Sequence, residues 1–136
     1  MAALRPEFSE KLAEIALAMQ AERTGHSPKA VTVVASDETV VVTMHEALTP
    51  AEKILARSAA GASKVEDYHR ALFAVSCEEL RLEIQRLSGR KVREAAVVLE
   101  PATGAIVHAF TSGTVVQIFQ LESHEAARER NGEGPR

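Results

Sequence analysis

The residues of this chain that could carry out chemistry are five histidines, one cysteine, scattered serines and several paired carboxylates. None of Ser36, Ser63, Ser76, Ser88, Ser112 or Ser123 stands in Gly-x-Ser-x-Gly, the turn that lifts a nucleophilic hydroxyl out of an α/β sheet. Cys77 falls on the face of Phe73 and Leu80 in a helical pattern, which reads as a buried structural thiol. A reactive thiol needs an exposed, electropositive setting. His26, His45, His69, His108 and His124 form neither His-x-x-x-His nor His-Glu-x-x-His. Met44-His45-Glu46 and Asp67-Tyr68-His69 do place a carboxylate near an imidazole. A histidine- or metal-dependent enzyme built on His45, His69 or His108 therefore remains an alternative, though catalytic zinc needs three placed ligands. Glu78-Glu79 lie among Arg81, Glu83 and Arg86 at helical spacing, the pattern of a solvated, salt-bridged face.

Phosphate chemistry has one candidate. The glycines form neither Gly-x-Gly-x-x-Gly nor a P-loop. Thr111-Ser112-Gly113-Thr114 is a hydroxyl-rich bend whose backbone N–H groups could hold an anion. Lys29, Thr111, Ser112 and Thr114 are the ligand candidates, in competition with an ordinary turn. No catalytic residue, metal ligand or cofactor is assigned.

Composition narrows the rest. The chain has 136 residues and a net charge of −3, with hydrophobic residues at 46% and aromatic ones at 4%. That length suits one domain whose core is built from Ala, Val, Leu and Ile. Lys and Arg are scattered beside Glu rather than gathered in the basic stripe that nucleic acid demands, so no nucleic-acid partner is expected. A single cysteine makes no internal disulfide. Met1 to Glu10 has no long apolar stretch, so no signal peptide is evident. No run approaches the ~20 apolar residues of a membrane span. The expectation is a cytoplasmic protein without direct membrane insertion, peripheral only through a partner.

The elements that must position these residues follow from spacing. Phe8, Leu12, Ile15 and Met19 predict a helix over 7–23, stopped at Thr24-Gly25. Val- and Thr-rich runs at 29–35 and 39–45, joined by Ser36-Asp37-Glu38, predict an antiparallel hairpin. Thr49-Pro50-Ala51-Glu52 predicts a capping box at the start of a short helix reaching about Arg57. Ala59-Ala60-Gly61-Ala62 reads as a flexible break. Ser63 and Glu66 then predict a second cap and a long helix from Lys64 to Leu87. Its apolar middle, Ala71 to Val75, implies cover on more than one side: the sheet, and either the first helix or a second copy of the protein. Residues 91–99 and 105–111 read as strands around the turn 101–104, followed by a strand-like Thr114 to Leu121. Whether 105–121 is one bent strand or two is open.

The fold class is thus α+β. An antiparallel sheet of two hairpins, about four to five strands, carries three helices in the order helix-hairpin-helix-helix-hairpin. Residues 1–121 form the domain, and 122–136 read as a disordered charged tail.

Gly25-His26-Ser27-Pro28-Lys29-Ala30-Val31, Leu48-Thr49-Pro50-Ala51-Glu52-Lys53 and Gly89-Arg90-Lys91-Val92 together resemble the MpsC-like family of short bacterial proteins. That family is named after a sodium-translocating, membrane-potential-generating system. The resemblance spans roughly residues 8–121, although Ala105 through Leu121 is longer here than the family's second hairpin. It implies a cytoplasmic protein acting beside a cation or bicarbonate uptake system, with a membrane transport protein as partner. It carries over no catalytic residues. The expected function is a non-enzymatic accessory or interaction protein, a homodimer on the grounds of the apolar middle of the long helix and the open strand edges, with a small-ligand or anion sensor as the alternative.

Overall fold

A computed structural model of the chain describes residues 5–93, 105–110 and 112–132. The chain runs α1 (Pro6–Thr24), β1 (Ala30–Ala35), β2 (Thr39–His45), α2 (Pro50–Leu55), α3 (Ala59–Ser88), β3 (Ala105–Ala109), β4 (Val115–Gln120) and α4 (His124–Arg130). The class is α+β as expected. Four antiparallel strands lie in the order β1-β2-β4-β3, so the two hairpins meet through their second strands.

Alternation decides which face of the sheet is covered. Val40, Val42 and Met44 of β2 are buried, as are Val115, Gln117 and Phe119 of β4. Register places Val42 between Val33 and Gln117, and Gln117 next to Val107, so these side chains share one face. Phe8, Leu12 and Ala16 of α1 and Val65, Phe73, Cys77, Leu80 and Ile84 of α3 join the same core. The apolar stripe of α1 differs from its prediction. Its buried row steps by four through Phe8, Leu12, Ala16 and Gln20, while Ile15 and Met19 are only half-buried. Ala16 is small and Gln20 polar, so hydropathy alone pointed to the neighbouring row.

Three further expectations are corrected. The long helix begins five residues early, because Ser58 and not Ser63 caps it: its Oγ accepts from Gly61 N at 3.0 Å. Ala59 to Ala62 is its first turn and not a break. A Cβ on Gly61 would stand 1.8 Å from the Leu55 carbonyl oxygen, so glycine there permits the close approach of α2's end. The second hairpin is β3–β4, turning through 110–114, where Phe110 N donates to Thr114 O and Gly113 N to Phe110 O. Residues 105–121 are therefore two strands. Most of the expected strand at 91–99, and the turn at 101–104, lie outside the described residues; Val92 makes a single antiparallel bridge to Leu121.

The third correction concerns helix count: the described residues form four helices instead of three. Ser123 Oγ accepts from Ala126 N at 3.1 Å and starts α4, whose last turn carries Arg128 and Arg130 where the helix dipole favours cations. This helix lies in the stretch whose composition reads as a disordered tail. Glu122 fastens it by hydrogen bonds to Arg130 and by accepting from Lys91 N at 2.7 Å. Beside it the buried Arg90 donates from Nε to Glu122 O at 3.2 Å and from Nη2 to Asp37 O. One guanidinium thus joins the β1–β2 turn to the end of β4.

Burial alone would raise the Glu122 carboxyl, but the hydrogen bonds from Arg130 and Lys91 and their charges outweigh it and hold the group below its ordinary 4.5. A depressed folded-state value adds stability that is present above the unfolded value and lost as pH falls through the folded one. Urea unfolding of wild type and Glu122→Gln between pH 7 and pH 3 tests this. The wild-type advantage is expected to hold above about pH 5 and shrink progressively below it; a gap that stays constant or widens toward acid refutes the assignment.

Candidate functional site

Three of the four ligand candidates come together. Lys29, Ser112 and Thr114 line one hollow at the end of the sheet, along with Ala30, Thr32, His45 and Glu46. Thr111 lies outside the described residues. Two local facts build the hollow. The first hairpin's register pairs Ala30 with His45, and Lys29 N donates to His45 O at 2.8 Å, setting Lys29 against the end of β2. Ala47 N then donates to Gly113 O at 2.7 Å, pinning the β3–β4 turn to the same place. Gly113 has φ +99°, which a residue with a side chain rarely adopts.

Sequence reasoning did not select Thr32 and Glu46, and considered His45 only for metal or enzyme chemistry. The signal was the hairpin register, which a turn centred on Asp37 already implies. Thr32 Oγ1 is 3.2 Å from His45 Nε2, and Lys29 Nζ is 3.8 Å from Glu46 Oε2. His26 Nε2 lies 3.1 Å from Glu46 O. Glu46 itself has φ 51°, the only positive φ among the described non-glycine residues. The hollow is about 500 Å³, within the range of small-ligand sites. It is shallow: the side chains of Lys29 and Glu46 are 75% and 55% exposed. The Glu46 carboxylate offsets the Lys29 charge, so the site suits a small polar ligand with donors and acceptors better than a bare anion.

The other candidate histidines stand elsewhere. His69 is buried on α3, with Nε2 2.9 Å from Glu52 Oε2. Glu52 Oε1 accepts from Thr49 N at 2.8 Å, and Glu52 N donates to Thr49 Oγ1 at 3.2 Å, completing the expected capping box. One carboxylate therefore caps α2 and holds α3's buried imidazole. His108 lies on β3, with Nδ1 3.7 Å from Glu66 Oε1, the oxygen that accepts from Ala109 N at 2.8 Å. Among the described residues no three His, Cys, Asp or Glu side chains gather closely enough to hold a metal ion. Cys77 is buried in α3, its Sγ 3.8 Å from Ala74 O.

A family model described as "Na+-translocating membrane potential-generating system (MpsC)" matches residues 5–113. That range takes in α1 through β3 and most of the hollow, and stops short of Thr114, β4 and α4. No curated protein and no solved structure matches the chain.

The left-handed backbone at Glu46 costs of order 1–3 kcal/mol for a residue with a side chain. Its exposed pair with Lys29 returns at most about 1 kcal/mol. Glu46→Gly is therefore expected to raise the urea midpoint by an amount worth roughly 1 kcal/mol; a lower midpoint would show that the carboxylate holds the hollow together.

Proposed function

The chain belongs to the MpsC family, and from that premise we propose that it is a non-enzymatic accessory protein of a Na+-translocating, membrane-potential-generating system. In this reading it works in the cytoplasm and docks on a membrane-embedded transport protein. Among the described residues no helix is long and apolar enough to cross a membrane, so contact with the bilayer machinery would run through a protein surface.

The observation that carries the reading is the sheet face turned away from the helices. The described helices touch strands only through α1 and α3, and the buried side chains they meet all project to one side. The other side presents Val34, Val41, Val116 and Ile118, with Thr32 and Thr43 between them, and Val34 is 62% exposed. Val41, Val116 and Ile118 are half-buried, and a row of β-branched side chains on a face that no described helix touches is a surface suited to a partner. The non-enzymatic part is supported by the polar groups already described, since His69, His45 and Glu66 are each engaged in a bond that holds an element in place.

Affinity purification of the tagged chain from solubilised membranes of its host tests the proposal. A membrane-embedded transport protein is expected to co-purify, and Val34→Glu is expected to reduce its recovery at least about tenfold while leaving the melting curve intact. Recovery of no transport protein above the tag control, or undiminished recovery with Val34→Glu, defeats it.

A second reading is favoured by the convergence of Lys29, Ser112 and Thr114: the hollow at the sheet end senses a small polar ligand. Thermal-shift measurements with small zwitterions such as amino acids, and with phosphate, bicarbonate and nucleotides, address it. A ligand at about 100 times its dissociation constant adds about 2.7 kcal/mol, a rise of several degrees in a domain of this size. The rise should vanish in Lys29→Ala. No rise with any of them removes the reading.

A further inference from the structure

The long helix α3 has a second apolar face that none of the described elements covers. Its inner face carries Val65, His69, Phe73, Cys77, Leu80 and Ile84 against the core. On the outer face Tyr68, Val75 and Leu82 are 46%, 81% and 53% exposed. They recur at steps of seven, so they lie along one line of the helix, about 10.5 Å apart. Ala71 beside them is also exposed and lets another backbone come close. The apolar middle read from the sequence is thus covered by the sheet and by α1, while Ala71, Ala74 and Val75 stay exposed.

We propose that this face is the homodimer interface, with α3 of a second copy packed antiparallel across a two-fold axis at Val75. The inference deepens the interaction reading above, but a dimer of this register can form whether or not the transport role holds. The spacing is self-complementary. Reversal about Val75 puts Val75 against its own copy and Tyr68 against Leu82 of the second copy, at both ends, as a closed two-fold contact requires.

Charge selects the direction. Asp67 precedes Tyr68 and Arg81 precedes Leu82. The antiparallel arrangement brings Asp67 beside Arg81 of the second copy twice, a guanidinium that also bonds Glu78 of its own helix at 2.6 Å. A parallel one leaves Asp67 and its copy on opposite flanks of the contact, where neither finds Arg81. At the far ends Lys64 approaches Arg86 of the second copy, but Arg86 is already paired with Glu83. Between Val75 and Leu82 the line is flanked by two exposed carboxylates, each paired within its own chain: Glu79 with Arg23 of α1 and Glu78 with Arg81.

Disulfide trapping reads the register directly. Under mild oxidation Val75→Cys is expected to cross-link to itself. Tyr68→Cys and Leu82→Cys are expected to cross-link when mixed, and neither alone, because like positions lie roughly 21 Å apart along the pair. Wild type, whose only thiol is the buried Cys77, is the control. Light scattering after size exclusion should give a dimer for wild type. Val75→Glu should raise the dimer dissociation constant at least about tenfold with unchanged circular dichroism. A monomeric wild type, a dimer indifferent to Val75→Glu, or self-cross-linking of Tyr68→Cys overturns the proposal. Co-purification with a transport protein bears on the accessory role alone, so the two can fail separately.

Discussion

The register in which β2 lies against β4 governs most of what this molecule presents. It sets Val40 beside Phe119, Val42 beside Gln117 and Met44 beside Val115, and so sends every second side chain of both central strands into the core. A slip of β4 by one residue would exchange its faces, turning Val116 and Ile118 inward and exposing Phe119. The same pairing brings the β3–β4 turn to the end of β2. Without it Lys29, Ser112 and Thr114 would have no common neighbourhood. Burial of the large side chains on that face, worth about 1.5–3 kcal/mol each, opposes such a slip far more strongly than any single hydrogen bond in the ladder.

Much of this frame was legible from residue order. The first hairpin, the Thr49–Glu52 capping box and the glycine stops after α1 and α3 all rest on contacts within a few residues, where local chemistry decides. What was not legible depends on contacts across the chain. Ser58 and Ser63 are equally good caps by type, and only the packing of Gly61 on the Leu55 carbonyl distinguishes them. His69 reads from the sequence as a surface or hydrogen-bonded imidazole, and only the fold shows that its partner is Glu52. The helix after Leu121 was hidden by its charge, since its anchoring by Glu122, Lys91 and Arg90 joins segments thirty residues apart.

The candidate site was half readable for a related reason. Lys29, Ser112 and Thr114 stood out by type, and the first hairpin's register could have added His45 and Thr32. The hydrogen bond from Ala47 to Gly113, which gathers the two hairpin ends, has no trace in local spacing. The edges of the sheet differ in the same way. Glu66 of α3 occupies the Ala109 N–H on the β3 side, while β1 carries no charge or proline within Ala30–Ala35 to discourage another strand.

The arrangement of strands also has a consequence for how the chain is made. β2 ends at His45 and β4 begins at Val115, so a ribosome must add seventy residues between them. At about 5–20 residues per second, roughly 4 to 14 seconds pass before the missing neighbour exists. During that interval the nascent hairpin has an unpaired edge on β2 and keeps Val40, Val42 and Met44 without the strand that flanks them. The helix α1, which packs on β1 and β2 and is made before them, can shelter those valines throughout the wait.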